Sequence, residues 1–451
     1  MCRAIASVCR ALDTAYRNAA KNSRIEQFTR AWRWLQPLAG RRQRVVISRA
    51  TGAQKRPSSR VEATLKKERL PIGVRLWNGD AILGAAAPRI TLTLNSPSAL
   101  KLFINPNLSA LAESYLKQEI DIEGEIQDII RLLAPVFRGS DQSKPRAERF
   151  TLFRHNRERD SRAIRHHYDV SNDFYALWLD KQRVYSCAYF RSPDDSLDLA
   201  QAQKIDHLCK KLRLQPGDRL LDIGCGWGAL ILWAAEKYGV NCVGITLSEQ
   251  QHSYANEQIA ARGLAKRVEV RLQDYRDVPE DQPFDKIVSV GMFEHVGARC
   301  LSTYFAKIQR LLRPGGVAMN HGITSASLGG ERTSTGNEFI EKYIFPDGEL
   351  VHVSKVMEVM AREGLEVLDV ESLRRHYAQT LWHWVTRLEG NSETAKTIVG
   401  EERYRAWRAY LGGFAYAFEQ GWDNLYQILA AKPLANGSLD YPMTRDHIYG
   451  A

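Results

Sequence analysis

The sequence has few cysteines and none in a useful arrangement. Cys2, Cys9, Cys187, Cys209, Cys225, Cys242 and Cys300 are odd in number, scattered, and form no CxxC pair. That excludes a disulfide framework and a zinc site, and fits a reducing compartment. No uncharged apolar run approaches the roughly 18 residues a bilayer span requires, and no repeat of solenoid period occurs. Acidic residues are scarce in one place only. Residues 1–60 hold Asp13 and Glu26 against 14 Lys and Arg, a net +12, which leaves the rest of the chain at −1.

What is present is globular. The 451 residues are 44% hydrophobic and 25% charged, with a formal charge of +11, enough for two or three domains that fold in water. The basic head reads as an extension. Its aromatic and arginine mixture, Phe28-Thr29-Arg30-Ala31-Trp32-Arg33-Trp34-Leu35, also suits an arm that adheres to an anionic surface, and an Arg-rich head can serve as a transit segment. From Val61 a small α+β domain is expected, with strands at Val74–Trp77 and Ile90–Leu94, turn chemistry at Asn78-Gly79-Asp80, and helices from Ser109 and Glu125. Residues 139–162 are dense in charge and read as a linker. The domains are therefore set at 1–60, 61–138, 139–162 and 163–451.

Beyond Arg219 strands and helices alternate. Strands are predicted at Arg219–Ile223, Val240–Ile245, Val268–Leu272, Lys286–Val290 and Val317–His321, with helices from Ala229, Glu249 and Leu301. Repeated βαβ units imply a doubly wound parallel sheet. A last strand-like run is Tyr426–Leu429, and the tail is rich in aromatic residues that by default form core.

The run Leu220-Leu221-Asp222-Ile223-Gly224-Cys225-Gly226-Trp227-Gly228 carries a strand into a glycine turn and a helix. Glycines let the backbone approach a nucleoside because no Cβ intervenes. Gly224 and Gly226 suit either a dinucleotide or S-adenosylmethionine. Asp222 favours the second, because a carboxylate there can hold the ammonium of a methionine moiety but would repel a pyrophosphate. The acid that would bind the ribose of a dinucleotide is absent, since Gly244-Ile245-Thr246-Leu247-Ser248 stands in its place. Thr246, Ser248 and Gln251 could bind ribose instead. Asp274 can accept from an adenine amino group with Tyr275 covering the ring, or can cap a helix.

These motifs, together with Tyr185-Ser186-Cys187-Ala188-Tyr189-Phe190 and Val288-Ser289-Val290-Gly291-Met292-Phe293-Glu294-His295-Val296-Gly297, resemble the cyclopropane-fatty-acyl-phospholipid synthase family of methyltransferases. The match runs from about Ile164 to the end, and more loosely from Val61. The resemblance implies a Rossmann-like methyltransferase sheet, mostly parallel with one antiparallel strand, beside a smaller N-terminal α+β domain. By similarity, S-adenosylmethionine would touch Tyr185, Ser186, Gly224, Gly226, Thr246, Leu247, Gln251, Asp274 and Tyr275, to which the residue reading adds Asp222. A bicarbonate ion would be held by Cys187, Glu294, His321, the backbone of Ile323, and Tyr377. Cys187 alone would otherwise pass for a small buried hydrophobe. His166, His167, His295 and His352 read as structural groups.

The expected reaction places a methylene on a cis double bond of an unsaturated phospholipid acyl chain. An alkene attacking a sulfonium methyl leaves a carbocation, so the site must be dry and lined by electron-rich rings. Tyr189, Phe190, Phe293, Tyr377 and the tail tryptophans are the candidates. A base must then take a proton, either bicarbonate or Glu294 acting through water. Alternatives are a sibling giving a methyl-branched or methylene product, and an inactive lipid-binding scaffold. Expected partners are the phospholipid and an anionic membrane surface, with a homodimer left open and no nucleic acid. The expected location is cytoplasmic, peripheral to the inner face of the membrane.

Overall fold

The computed structural model describes residues 72–83, 87–100, 102, 108–137, 171–328 and 350–450. The basic head, the linker at 139–162, the Ile164–Asp169 motif with His166 and His167, and residues 329–332 of the loop after Ile323 lie outside the described residues. The chain divides into two units, residues 1–144 and 145–451.

In the first unit β1 (Ile72–Leu76), β2 (Ala81–Leu83), β3 (Ile90–Leu94) and β4 (Ile120–Glu123) form one sheet in the order β2-β1-β3-β4. The Asn78-Gly79-Asp80 turn forms as its chemistry predicts, with Asp80 N donating to Asn78 Oδ1 at 3.1 Å and Gly79 at φ 86°. It leads into β2, which pairs antiparallel with β1, and β3 then returns parallel to β1. Helices α1 (Leu108–Leu116) and α2 (Ile126–Phe137) flank β4, a strand that sequence reading passed over as a mere separator. Its IDIE sequence carries two carboxylates on half-exposed or exposed positions, as an edge strand tolerates.

The second unit begins with α3 (Asn172–Ala176) and α4 (Leu197–Lys211). Strands β5 (Arg219–Ile223), β6 (Asn241–Thr246), β7 (Val268–Leu272), β8 (Phe284–Val290) and β9 (Leu312–Ser325) then alternate with α5 (Ala229–Tyr238), α6 (Glu249–Ala261) and α7 (Leu301–Leu311). After α8 (Val353–Arg362) come β10 (Glu366–Ser372), α9 (Arg374–Gly390), α10 (Ser392–Val399), α11 (Glu401–Gln420), β11 (Asp423–Ala431) and α12 (Asp446–Tyr449). The sheet order is β10-β11-β9-β8-β5-β6-β7. β11 runs antiparallel to both neighbours and the other pairs between β5 and β9 are parallel, as expected.

The parallel strands are apolar because both faces are covered. On one face Leu220, Val288, Val317 and Met319 pack with Ile205, Leu208 and Ile231; on the other Leu221, Ile287 and Ala318 pack with Tyr304, Ile308 and Val356. Helix starts are fixed by serines: Ser196 accepts from Leu199 N ahead of α4, and Ser248 from Gln251 N ahead of α6. Among the described residues no helix is long and apolar enough to cross a membrane.

Candidate active site

β5 delivers Asp222, nearly fully buried, to the edge of a glycine turn in which Gly224, Gly226 and Gly228 take φ values of 82°, 56° and 89°. Side-chain-bearing residues rarely adopt that conformation, so the turn depends on glycine. The turn is tied to the next strand by Gly224 N and Cys225 N, which both donate to Ile245 O at 3.0 Å. Above it opens a cleft of about 1300 Å3, counting the space open to solvent.

All ten residues expected at the donor site line this cleft: Tyr185, Ser186, Asp222, Gly224, Gly226, Thr246, Leu247, Gln251, Asp274 and Tyr275. Thr246 Oγ1 donates to Gln251 Oε1 at 2.8 Å. The Gln251 amide NH2 is thereby oriented with no partner among the described residues. Ser248 is a correction: its hydroxyl is consumed as the cap of α6 and it does not line the cleft. Asp274 takes the capping role that competed with adenine binding, accepting from Arg276 N at 2.9 Å and pairing with the Arg276 guanidinium at 2.6 Å. It remains at the cleft wall. Burial pushes the Asp222 carboxyl up to about 7, against the pull of Lys204.

The residues assigned to bicarbonate do not line that cleft. Glu294 follows the end of β8, His321 and Ile323 lie beside it on β9, Cys187 stands in the loop ahead of α4 and Tyr377 on α9. Glu294, in a short turn just after β8, is buried, and its Oε1 accepts from Ile323 N at 2.7 Å. Burial pushes its carboxyl up to about 7, partly countered by that backbone bond. On β9, His321 and Ile323 share one face by strand alternation. His321 Nδ1 lies 3.2 Å from Gln427 Nε2, the residue paired with it on β11. Since an amide NH2 only donates, Nδ1 accepts and the proton sits on Nε2. Burial drives the imidazole well below its ordinary pKa, so it is neutral. Among the described residues, Glu294 Oε2 and His321 Nε2 are both buried without a partner.

The other three assigned residues have partners within the protein. The Ile323 N–H is already spent on Glu294. Cys187 is fully buried, its thiol lies 3.2 Å from Ala188 O and 3.8 Å from Leu373 O, and burial raises its pKa, so it is a neutral thiol engaged with backbone. Tyr377, buried on α9, packs its ring against Phe418 at 4.7 Å and Trp384 at 6.0 Å.

The aromatic lining is also redistributed. Tyr189 stacks between His207 and His376, and Phe190 between His376 and His383, so these two form a separate stack. The cluster that reaches the cleft comprises Tyr175, Trp178, Tyr185, Trp227, Trp384 and Trp407, with ring centroids 5.0 to 6.2 Å apart. Tyr175, Trp178 and Trp227 were not anticipated, although the dense Phe174-Tyr175-Ala176-Leu177-Trp178 run carried the signal. Trp227 is locked by an Nε1 bond of 2.7 Å to Asn172 Oδ1. Phe293 packs over Gly322, where an added Cβ would meet its ring at 2.0 Å. His295, read as structural, lines the cleft, whereas His352 caps α8. Lys204, also missed, reaches the cleft and donates to Ser186 Oγ at 2.8 Å.

Two family models match the sequence. One described as mycolic acid cyclopropane synthetase spans residues 155–428, and a domain of unknown function, DUF7884, spans residues 62–136. A probable fatty acid methyltransferase of Pseudomonas putida is 46% identical over 390 residues, covering 85% of this chain and 98% of its own. Cyclopropane mycolic acid synthase 1 of Mycobacterium tuberculosis is 38% identical over 278 residues, 60% of this chain and 96% of its own. The crystal structure of mycolic acid cyclopropane synthase CmaA1 complexed with SAH and CTAB superposes with a TM-score of 0.57 at 38% identity, covering 60% of this chain and 97% of that one. With one family model spanning more than half of the sequence and a relative matched over nearly its whole length, the chain belongs to the mycolic acid cyclopropane synthetase family.

Proposed function

We propose that this protein adds a methylene group from S-adenosylmethionine across the cis double bond of an unsaturated phospholipid acyl chain, closing a cyclopropane ring. One juxtaposition carries the reading. Ten residues suited to the donor line one cleft, and Glu294 just after β8 and His321 on the adjoining β9 each carry a buried polar atom unsatisfied among the described residues. The SAH in the CmaA1 structure supports the same donor.

The donor, when bound, supplies a methyl group on a positively charged sulfur. The alkene π pair forms a bond to that carbon, the carbon–sulfur pair leaves with the sulfur, and the second alkene carbon becomes cationic. Tyr185, half-buried at the cleft wall and backed by the buried Trp384 and Trp407, offers a ring face to the cation and helps keep water from capturing it. The ring closes when the new methyl gives up a proton and its C–H pair bonds the cationic carbon. Glu294 is suited to receive that proton directly or through water, because burial keeps its basicity near neutrality. Bicarbonate also fits the orphaned pair, with Glu294 Oε2 accepting from it and His321 Nε2 donating to it, and would supply a small base. The basic residues 1–60 would provide adhesion to anionic lipid, and the small N-terminal unit would cradle the phospholipid.

A second reading, a fatty acid methyltransferase that leaves a methylene or methyl branch, is favoured by the name of the Pseudomonas relative. Lipid mass spectrometry of cells expressing the protein separates the readings. A gain of CH2 with loss of the olefin supports cyclopropanation, a gain with the olefin retained supports the second reading, and unchanged lipids refute both.

A further inference from the structure

Helix α4 lays an unusual stripe against the sheet: Gln201, Lys204, His207 and Lys211 are all buried at helical spacing. Lys211 is paired with Glu371 on β10, whose carboxylate also meets His207 Nε2 at 2.8 Å. Lys204 is not neutralised in this way. Lys204 is 2% exposed and lines the cleft, and its ammonium has the hydroxyl of Ser186 as its one hydrogen-bond partner among the described residues. No described carboxylate forms an ion pair with it. Asp222 lines the same cleft at 3% exposure and has no hydrogen-bond partner among the described residues. The fold thus buries an ammonium and a carboxylate in one cavity and holds them apart.

Buried charges are costly unless paired and hydrogen-bonded. Two opposite ones held separate are complementary to a zwitterion. We infer that Lys204 binds the carboxylate of the donor's amino-acid end while Asp222 takes its ammonium, an inference that rests on S-adenosylmethionine being the donor. The lysine has two N–H groups left for a carboxylate after its bond to Ser186. Burial lowers Lys204 to about 8 and raises Asp222 to about 7, so each group gains a stabilising counter-charge when a zwitterion docks. Ser186, held by Lys204, would report the same event to the adjoining Tyr185.

The test is calorimetry with SAH and with decarboxylated SAH, which lacks only the carboxylate. Wild-type protein should bind SAH tighter by about ten- to a hundredfold, the range of a charged hydrogen bond. Lys204→Met should erase that preference by weakening SAH alone, and Lys204→Arg should restore part of it. Equal wild-type affinity for the two ligands overturns the inference whether or not the variants fold. So does a Lys204→Met protein that keeps the wild-type ratio, or one that weakens both ligands by the same factor, since the lysine would then only support Ser186. Failure of the wild type to bind either ligand would instead remove the donor reading, and this inference with it.

Discussion

Replacing Glu294 by Gln should make the protein more stable at alkaline pH while disabling it. The carboxyl rises from 4.5 to about 7 on folding because it is buried. A raised carboxyl binds its proton more tightly in the native state than in the unfolded chain. Wild-type stability therefore falls as pH climbs from about 4.5 through about 7 and levels off above. At about 1.4 kcal/mol per pH unit the whole window is worth about 3 kcal/mol, of which about 2 kcal/mol lies between about pH 5.5 and about pH 8.5. Gln keeps an oxygen for the Ile323 N–H but carries no charge, so its stability lacks that slope. Urea unfolding of both proteins, followed by tryptophan fluorescence, should show the variant gaining about 2 kcal/mol on wild type over that interval. Turnover should drop by about 10²- to 10⁴-fold, the range for loss of a general base, with SAH affinity unchanged. Wild-type turnover should rise with pH through about 7. A stability difference that ignores pH, or normal turnover in the variant, would refute the reasoning.

Asp222 is likewise raised to about 7, so calorimetric SAH affinity should be about tenfold weaker at pH 6 than at pH 8, and Asp222→Asn should flatten that dependence and weaken binding. Gly322→Ala would set a Cβ 2.0 Å from the Phe293 ring and 3.0 Å from Glu294 Oε1. Overpacking there should cost about 1 to 3 kcal/mol in thermal or urea unfolding, with turnover lost and SAH binding kept. Deleting residues 1–60 should abolish salt-sensitive co-sedimentation with anionic vesicles; equal, salt-independent sedimentation of both forms would remove the adhesive role of the basic head.

Much of the catalytic unit could be read from sequence because parallel strands buried on both faces appear as apolar runs between helices. The glycine turn and Asp222 stood out for the same local reason. β10 did not. Its Glu366, Asp369 and Glu371 hide the strand pattern, and Asp369 and Glu371 are compensated from afar by Lys211, His207 and Arg445. Lys204 was invisible on similar grounds, because a charged helix position reads as solvent-facing until the sheet covers it. The donor residues were legible as contiguous motifs. Glu294 and His321 were legible as a pair only by resemblance, since what unites Glu294 with Ile323 is the turn after β8 reaching β9, and what unites His321 with Gln427 is the pairing of β9 with β11. Resemblance could not show that the Cys187 thiol and the Ile323 N–H have partners within the protein.

The most direct test uses purified protein, vesicles of a cis-monounsaturated phospholipid, and S-adenosylmethionine deuterated on its methyl. The account expects an acyl chain that gains CD2, loses its olefin and shows cyclopropyl resonances by NMR, one deuteron having left as the ring closed. An intact CD3 branch, a retained olefin or an unmodified lipid would contradict it.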